Sequence, residues 1–156
     1  VHLRRQRQMC IRDRPLDVDP PARSLCGRCS ACIDACPTEA IHEPFVVDAR
    51  RCLAFHTIEN REEELPKNIR AALGPWVAGC DICQDVCPWN HRSLPQSNDP
   101  DMQPRSWLLN LHKEQIQTWD DSVWEQKLRG SALRRIKPWM WRRNAAAAQP
   151  DPTPTL

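Results

Sequence analysis

The chain has 156 residues, 15 of them proline, and a mean hydropathy of -0.66, which suits one domain with a modest apolar core. No run approaches the roughly 18 apolar residues that a membrane-spanning helix needs, so we predict no membrane segment. The formal charge of +2 does not by itself indicate a binding partner. The uneven placement of cysteines and arginines along the chain is more informative about function.

The first 14 residues carry five arginines and no periodic apolar face, so we predict that they are disordered and are neither a core helix nor a secretion signal. The run Met9–Arg14 resembles translated sequencing adapter, in which case it is not native, Cys10 has no role and the reading frame is truncated upstream. A functional basic arm is the alternative. Residues 15–25 include Pro20 and Pro21 and are predicted to form an extended connector.

Four cysteines then follow in the order C-x2-C-x2-C-x3-C-P, from Cys26 to Pro37, a spacing typical of [4Fe-4S] ligands. Three cysteines, each three residues after the last, can fold one loop around a cube of iron and sulfide. Pro37 suits the start of a helical turn over Thr38–Ile41, so the fourth thiol, on Cys36, is expected to point toward a neighbouring cluster.

A second group of cysteines repeats the last three positions of such a motif and ends in Pro88, and Cys52 is the only candidate for the displaced first position. The crossed pattern of two-cluster ferredoxins then divides the eight cysteines into two sets of ligands. The first set is Cys26, Cys29, Cys32 and Cys87, and the second set is Cys36, Cys52, Cys80 and Cys83. Residues 26–92 are therefore predicted to form one module with two [4Fe-4S] clusters.

Zinc and disulfides are the alternatives to iron-sulfur clusters. Structural zinc sites usually use two separated cysteine pairs, and three cysteines in close series are unusual for them. Disulfides need an oxidising compartment, and no apolar signal segment precedes the cysteines. Since thiolate ligands converge only in the folded state, the metal-free chain is expected to be largely disordered between Cys26 and Pro88.

The segment between the two cysteine groups is predicted to form one strand and two helices. Pro44–Asp48 has the β-branched and aromatic content of a short strand. The first helix, Asp48–Ile58, is expected to start with Asp48 as its cap and to carry Cys52 in its first turns. The second helix, Leu65–Leu73, has Pro66 at its first position and is expected to stop at Gly74.

Several side chains near the motifs have both a structural and a functional interpretation. Trp89 is expected to shield a cluster from water and not to contact a substrate. His56 and His91 are expected to be surface or internally satisfied histidines and not ligands. Backbone amides near Gly27 and Gly79 are candidates for tuning the clusters through hydrogen bonds to sulfur.

Residues 93–105 are polar and proline-interrupted, which predicts a linker, and residues 106–148 are predicted to form a helical tail. Helices are expected over Ser106–Ile116 and Ser122–Leu128, and Ser122 has the spacing of a capping box with Glu125. Gly130 and Pro138 should divide the remaining helices. Residues 149–156 are predicted to be a disordered end.

The tail contains a basic run, Lys127–Arg143, with seven Lys or Arg residues, no acid, and two interleaved tryptophans. Such a surface suits phosphate contacts and base stacking in nucleic acids. The alternative is a solvated helical face whose tryptophans, Trp139 and Trp141, belong to the core. Composition alone leaves both interpretations open.

Several segments of the sequence together resemble the iron-sulfur half of the epoxyqueuosine reductases. They are, in chain order, Cys26–Ile41, Val46–Cys52, Thr57–Glu59, Gly79–Gln84, Cys87–Asn90, Arg129–Ile136 and Arg142–Ala145. The resemblance covers roughly Pro15–Ala148. The chain departs from the family at Ile82, where a second Asp is common, at Pro138 within the tail, and in having no complete helical repeat after Asn144.

The resemblance implies a cytoplasmic oxidoreductase that reduces epoxyqueuosine in tRNA to queuosine. In that family an N-terminal domain, expected to be missing here, holds cobalamin and the general acid, and the clusters pass electrons to cobalt. A flavodoxin or ferredoxin system would be the donor. The tRNA anticodon stem-loop would contact basic surfaces, for which we expect Arg129, Arg134, Arg135, Lys137, Arg142 and Arg143. Alone, the chain is expected to be monomeric and inactive.

The predicted fold is α+β, mostly helical and loop-rich: a ferredoxin-like module with two [4Fe-4S] clusters, a helical insertion and a short helical tail. Three other functions remain open from the sequence. The chain could be the iron-sulfur part of another cobalamin enzyme such as a reductive dehalogenase, a free-standing ferredoxin-like electron carrier, or a tRNA-binding module alone.

Overall fold

The computed structural model describes residues 19–21, 23–91 and 97–149. Our predictions for residues 1–14, and for the end of the chain beyond residue 149, lie outside this part. Within it the chain is mostly helical with one small sheet, which confirms the coarse fold prediction. Every helix in the described ranges is too short or too polar to traverse a lipid bilayer.

The described residues form seven α-helices, two strands and three short 3-10 helices. The α-helices are α1 Ala31–Asp34, α2 Leu53–Ile58, α3 Lys67–Ala72, α4 Ile82–Asp85, α5 Lys113–Gln117, α6 Asp121–Leu128 and α7 Pro138–Ala147. The strands are β1 Ile41–Glu43 and β2 Val46–Val47, and the 3-10 helices are Pro100–Met102, Ser106–Leu108 and Ala132–Arg135.

A small antiparallel hairpin follows the first cysteine motif. Ile41 pairs with Val47 in its register, and the prediction of a strand within Pro44–Asp48 is correct for β2. The predicted helical turn over Thr38–Ile41 is wrong. Glu39 has a φ of 51°, which breaks any helical progression, and the chain enters β1 at Ile41.

The two helices between the cysteine groups exist, but each begins later than predicted. The Asp48 carboxylate accepts hydrogen bonds from the backbone and side chain of Arg50, so it stabilises a turn and α2 starts only at Leu53. Cys52 is therefore the N-cap of α2 and lies outside its first turns. Pro66 is likewise the N-cap of α3, and Gly74, with a φ of 55°, follows its end as predicted.

The tail differs from the prediction in how its helices begin. The predicted helix Ser106–Ile116 is divided into a 3-10 turn and α5, because His112 is extended and its backbone N–H donates to the Gln115 side chain at 3.0 Å. Asp120, and not Ser122, caps α6, since its carboxylate accepts from the Val123 N–H at 2.8 Å.

The tail holds the larger of the two apolar cores. Its buried residues are Ile116, Trp119, Trp124, Leu128, Ile136, Met140, Trp141 and Ala145. A smaller core of Leu53, Leu65, Ile69 and Leu73 joins α2 to α3.

Trp141 belongs to the core of the tail, whereas Trp139 is 36% exposed and lies beside the Arg143 guanidinium. In the described residues before Leu53, Ala40 is the only buried apolar residue, so the first cysteine motif has almost no core of its own.

Candidate iron-sulfur centres

One cavity brings together the four cysteines of the first predicted set. It has a volume of about 290 Å³, and its lining residues are Cys26, Cys29, Ala31, Cys32, Cys87, Pro88 and Trp89. The Cys29 N–H donates to the Cys26 carbonyl at 3.0 Å, and Gly27 between them has a φ of 58°, which closes the loop tightly. Cys87 is 55 residues or more away in the sequence from the other three cysteines. Its thiol thus lines the same cavity as three thiols of one loop.

The chemistry of this cavity fits an iron-sulfur cube better than a single metal ion. Its donors are all thiols and its remaining walls are apolar. A lone zinc ion, with Zn–S bonds of about 2.3 Å, would need four sulfurs that converge on one point. No three or more His, Cys, Asp or Glu side chains in the described ranges converge in that way, and the eight cysteines there are free thiols.

The second predicted set also lies together. Burial raises the pKa of the Cys80 thiol, and the charges of Cys52, Cys83 and Cys36 close by raise that pKa further. Cys52 comes from the start of α2, Cys83 from α4, and Cys36 from the end of the first motif. Four thiols from three separate segments therefore share one small region, as the crossed pattern requires.

Cys36 lies in a backbone turn that supports its thiolate. Burial opposes ionisation, but the N–H groups of Thr38, Ala40 and Ile41 together outweigh it, so the pKa of Cys36 is lowered. The Ala40 N–H donates to its sulfur at 3.2 Å. The thiolate is the form that binds iron, so this turn prepares a ligand. Sequence reasoning missed it because the left-handed conformation falls on Glu39, a residue type that gives no such signal.

The other residues singled out near the motifs have mostly structural surroundings. His56 is buried and satisfied, as expected: its Nε2–H donates to the Arg50 carbonyl at 2.7 Å, and its Nδ1 accepts from the Asn60 amide at 3.0 Å. The Gly79 N–H donates to the Thr57 hydroxyl at 3.0 Å. Trp89 lines the first cavity, and its role in excluding water stays a prediction.

Much of the predicted RNA-contacting set is engaged by other groups of the same chain, at the surface for Arg134 and Arg135. Arg134 forms an ion pair with Glu125 at 2.6 Å. Arg135 pairs with Glu59. Arg142 donates to the Trp119 carbonyl at 2.8 Å. Arg143 donates to three backbone carbonyls and to the Asn144 side chain.

Arg129 and Lys137 are the members of the set that remain available. Both are exposed, and neither side chain has a polar partner among the residues that the structure describes. A cleft of about 900 Å³ is lined by the exposed Trp139 and by two arginines, Arg61 and Arg70, that lie outside the predicted basic run Lys127–Arg143. Glu63 and Glu64 also line this cleft, so its charge is mixed.

The ion pair between Glu59 and Arg135 gives a pH-dependent link between α2 and the tail. The Arg135 hydrogen bond and charge hold the pKa of Glu59 below its ordinary value of 4.5. Since the folded state has the lower pKa, the stabilisation is fully present above pH 4.5 and is lost as the pH falls through the folded pKa.

We therefore expect Glu59→Gln to lower the denaturant midpoint at neutral pH and to have no effect in strong acid. Denaturant titrations of both proteins across this pH range measure the difference. Glu63→Gln is the control, because Glu63 is exposed and has no ion pair among the described residues. A difference between wild type and Glu59→Gln that is constant with pH would contradict the assignment.

Comparison with known proteins agrees with this geometry. A family described as a 4Fe-4S double cluster binding domain matches residues 25–90. The epoxyqueuosine reductase of Synechococcus sp. (strain CC9605) is 93% identical over 142 residues, which are 91% of this chain and 44% of that protein. The chain thus spans less than half the length of this relative.

Solved structures give the same family. The epoxyqueuosine reductase from Bacillus subtilis superposes with a TM-score of 0.76 at 29% identity, over 85% of this chain and 35% of that one. An epoxyqueuosine reductase crystallised with a tRNA-Tyr epoxyqueuosine-modified tRNA stem loop gives the same TM-score of 0.76 at 29% identity, also over 85% of this chain and 35% of that chain. The chain therefore belongs to the epoxyqueuosine reductase family, of which it spans the portion that carries the double-cluster segment.

Proposed function

We propose that this chain is the electron-delivery portion of a tRNA epoxyqueuosine reductase, with two [4Fe-4S] clusters bound by its eight motif cysteines. The observation that carries the proposal is the shared cavity of Cys26, Cys29, Cys32 and the distant Cys87. A cluster bound by four cysteines of one loop would not need Cys87. When bound, the clusters supply one-electron transfer to a cobalamin held by another portion of the parent protein.

The chain's own residues have three tasks in this proposal. The eight thiolates bind the clusters in two crossed sets, so that neither motif can hold its cluster without the other. The Ala40 N–H, 3.2 Å from the Cys36 sulfur, stabilises negative charge on that ligand. Ala31, Pro88 and Trp89 form the apolar wall of the first cavity and exclude water from it, which bears on its potential.

The whole reaction assigned to the parent protein is a two-electron reduction. Two electrons and two protons convert the epoxide of epoxyqueuosine into the alkene of queuosine, and the epoxide oxygen leaves as water. The test uses the full-length protein with cobalamin and reconstituted clusters, and mass spectrometry of nucleosides from tRNA that carries the epoxide. A fully loaded protein that leaves the epoxide unchanged would overturn the proposal.

Binding of the tRNA stem-loop is the second part of the proposal, and a tRNA substrate would place the reaction in the cytoplasm. Support comes from the relative crystallised with such a stem-loop and from the exposed basic residues of the tail. A reductive dehalogenase or a free-standing electron carrier would need no basic surface for tRNA, and the epoxyqueuosine reductases that this chain is similar to do not favour either function. The physiological donor is proposed to be a flavodoxin or ferredoxin system.

Arg129 and Lys137, whose side chains are exposed, should contribute more of the tRNA affinity than the arginines that are already paired with other groups of the chain. We expect the double change Arg129→Glu, Lys137→Glu to weaken binding of the modified stem-loop and to reduce the salt slope by about 0.7 to 0.9 per lost phosphate contact. Fluorescence anisotropy over a salt series in the full-length protein measures both. Arg134→Gln, which removes the surface ion pair with Glu125, is the control, and equal effects in the two variants would contradict the assignment.

A further inference from the structure

The amide of Asn144 in α7 joins the two segments that carry distant cysteines of the second set. Asn144 is fully buried, and its Nδ2 donates to the carbonyls of Thr57 and Val77, each at 2.8 Å. Thr57 lies in α2, whose N-cap is Cys52. Val77 lies three residues before Cys80. One side chain of the tail therefore fixes the distance between the two segments.

Thr57 makes a second link between the same segments. Its side chain is fully buried, and its hydroxyl oxygen accepts the Gly79 N–H at 3.0 Å while its O–H donates to the Leu53 carbonyl at 3.0 Å. Gly79 directly precedes Cys80. The peptide that leads into this cysteine is thus hydrogen-bonded to the helix that begins at Cys52.

Arg143 holds the Asn144 amide in the required orientation. Its Nε and Nη2 donate to the Asn144 Oδ1 at 3.1 and 2.9 Å, which leaves the amide nitrogen pointing at the two carbonyls. The same guanidinium donates to the carbonyls of His56 at 2.9 Å and Asn60 at 3.0 Å, where α2 ends. Burial, and the charge of Arg61 nearby, lower the pKa of Arg143, yet guanidinium remains protonated in proteins and can serve as a permanent donor.

We infer that Asn144, oriented by Arg143 and acting together with Thr57, is a positioning residue that sets the spacing of Cys52 and Cys80 for a shared cluster. This rests on the second ligand set of the proposed function. The pair Arg143 and Asn144 then has a role in the iron-sulfur module although it lies in the tail. In the described part of the chain, no cysteine of the first set hydrogen-bonds to this network, so the first cluster should be insensitive to it.

A matched pair at Thr57 tests the inference with little change of shape. Thr57→Val keeps the volume and removes the hydroxyl, which leaves the Gly79 N–H unpaired, whereas Thr57→Ser keeps the hydroxyl. After anaerobic reconstitution of the full chain, we expect Thr57→Val to shift the potential of the second cluster and to lower iron from about eight toward about four per chain. Thr57→Val should keep the electron paramagnetic resonance signal of the first cluster. Thr57→Ser should retain both the wild-type potential of the second cluster and the wild-type iron content.

Asn144→Ala should give a larger loss of the same cluster, and Arg142→Gln is its control. Arg142 precedes Arg143 on the same helix, but its guanidinium contacts the Trp119 carbonyl and Asp121 within the tail. Arg142→Gln should therefore retain about eight irons. Unchanged iron and potentials in Thr57→Val, or equal loss of both clusters in it, would overturn the inference while the wild type still binds about eight irons. A wild type that never binds this amount would overturn the proposed function instead.

Discussion

Removal of iron should unfold residues 26–52 and leave the tail folded. In the described residues before Leu53, Ala40 is the only buried apolar residue, whereas eight residues form the tail core. Burial of apolar surface is the main stabilising contribution in a domain, so the first motif depends on metal ligation and the tail does not. Residues 53–73 have a small core of their own and should lose protection only in part.

Hydrogen exchange followed by mass spectrometry, on the reconstituted chain before and after chelation, measures this difference segment by segment. Amides of 26–52 should exchange at the rate of an unfolded chain after chelation, while amides of α6 and α7 should keep their protection. The expectation from sequence, disorder from Cys26 to Pro88, is broader than this. Retained protection in 26–52 without metal would show that the motif folds without its clusters and would contradict the argument.

Leu128→Ala should be among the most destabilising single changes in the tail. Leu128 is completely buried in the core that also contains Trp124 and Met140. Truncation of a buried leucine removes apolar contacts and leaves a cavity, with a typical cost of about 2 to 5 kcal/mol. Denaturant unfolding of the reconstituted chain, followed by tryptophan fluorescence, measures the loss.

Leu109→Ala is the matched control, since Leu109 is 68% exposed and the same atoms are removed. Its effect should stay within about 0.5 kcal/mol. Similar losses for Leu109→Ala and Leu128→Ala would contradict the packing described for the tail. Because α7 carries both Met140 and Asn144, a strongly destabilised tail should also weaken the second cluster.

The cysteine spacing predicted more of the candidate site than any other feature of the sequence. It predicted which four thiols share the first cavity, because cluster ligation leaves a specific pattern of residue types. The helix starts were harder to predict because several side chains compete for the same backbone groups. Asp48 prefers a turn with Arg50, and Asp120 caps α6 in place of Ser122.

The tail shows why composition alone could not assign its basic residues. The partner of Arg135 is Glu59, 76 residues earlier, and no local sequence pattern predicts such a pair. The same holds for Asn144, whose partners are backbone carbonyls 67 and 87 residues away and carry no residue signature at all. Long-range contacts of this kind follow from the fold and become visible only with it.

Electron paramagnetic resonance of reduced single-cysteine variants tests the crossed assignment most directly. The wild type, reconstituted without oxygen, should bind about eight irons and show two reduced clusters. Cys87→Ala should then lose the same signal as Cys29→Ala and keep the signal that Cys83→Ala loses. If Cys87→Ala instead matches Cys83→Ala, each motif holds its own cluster and the crossed arrangement is wrong.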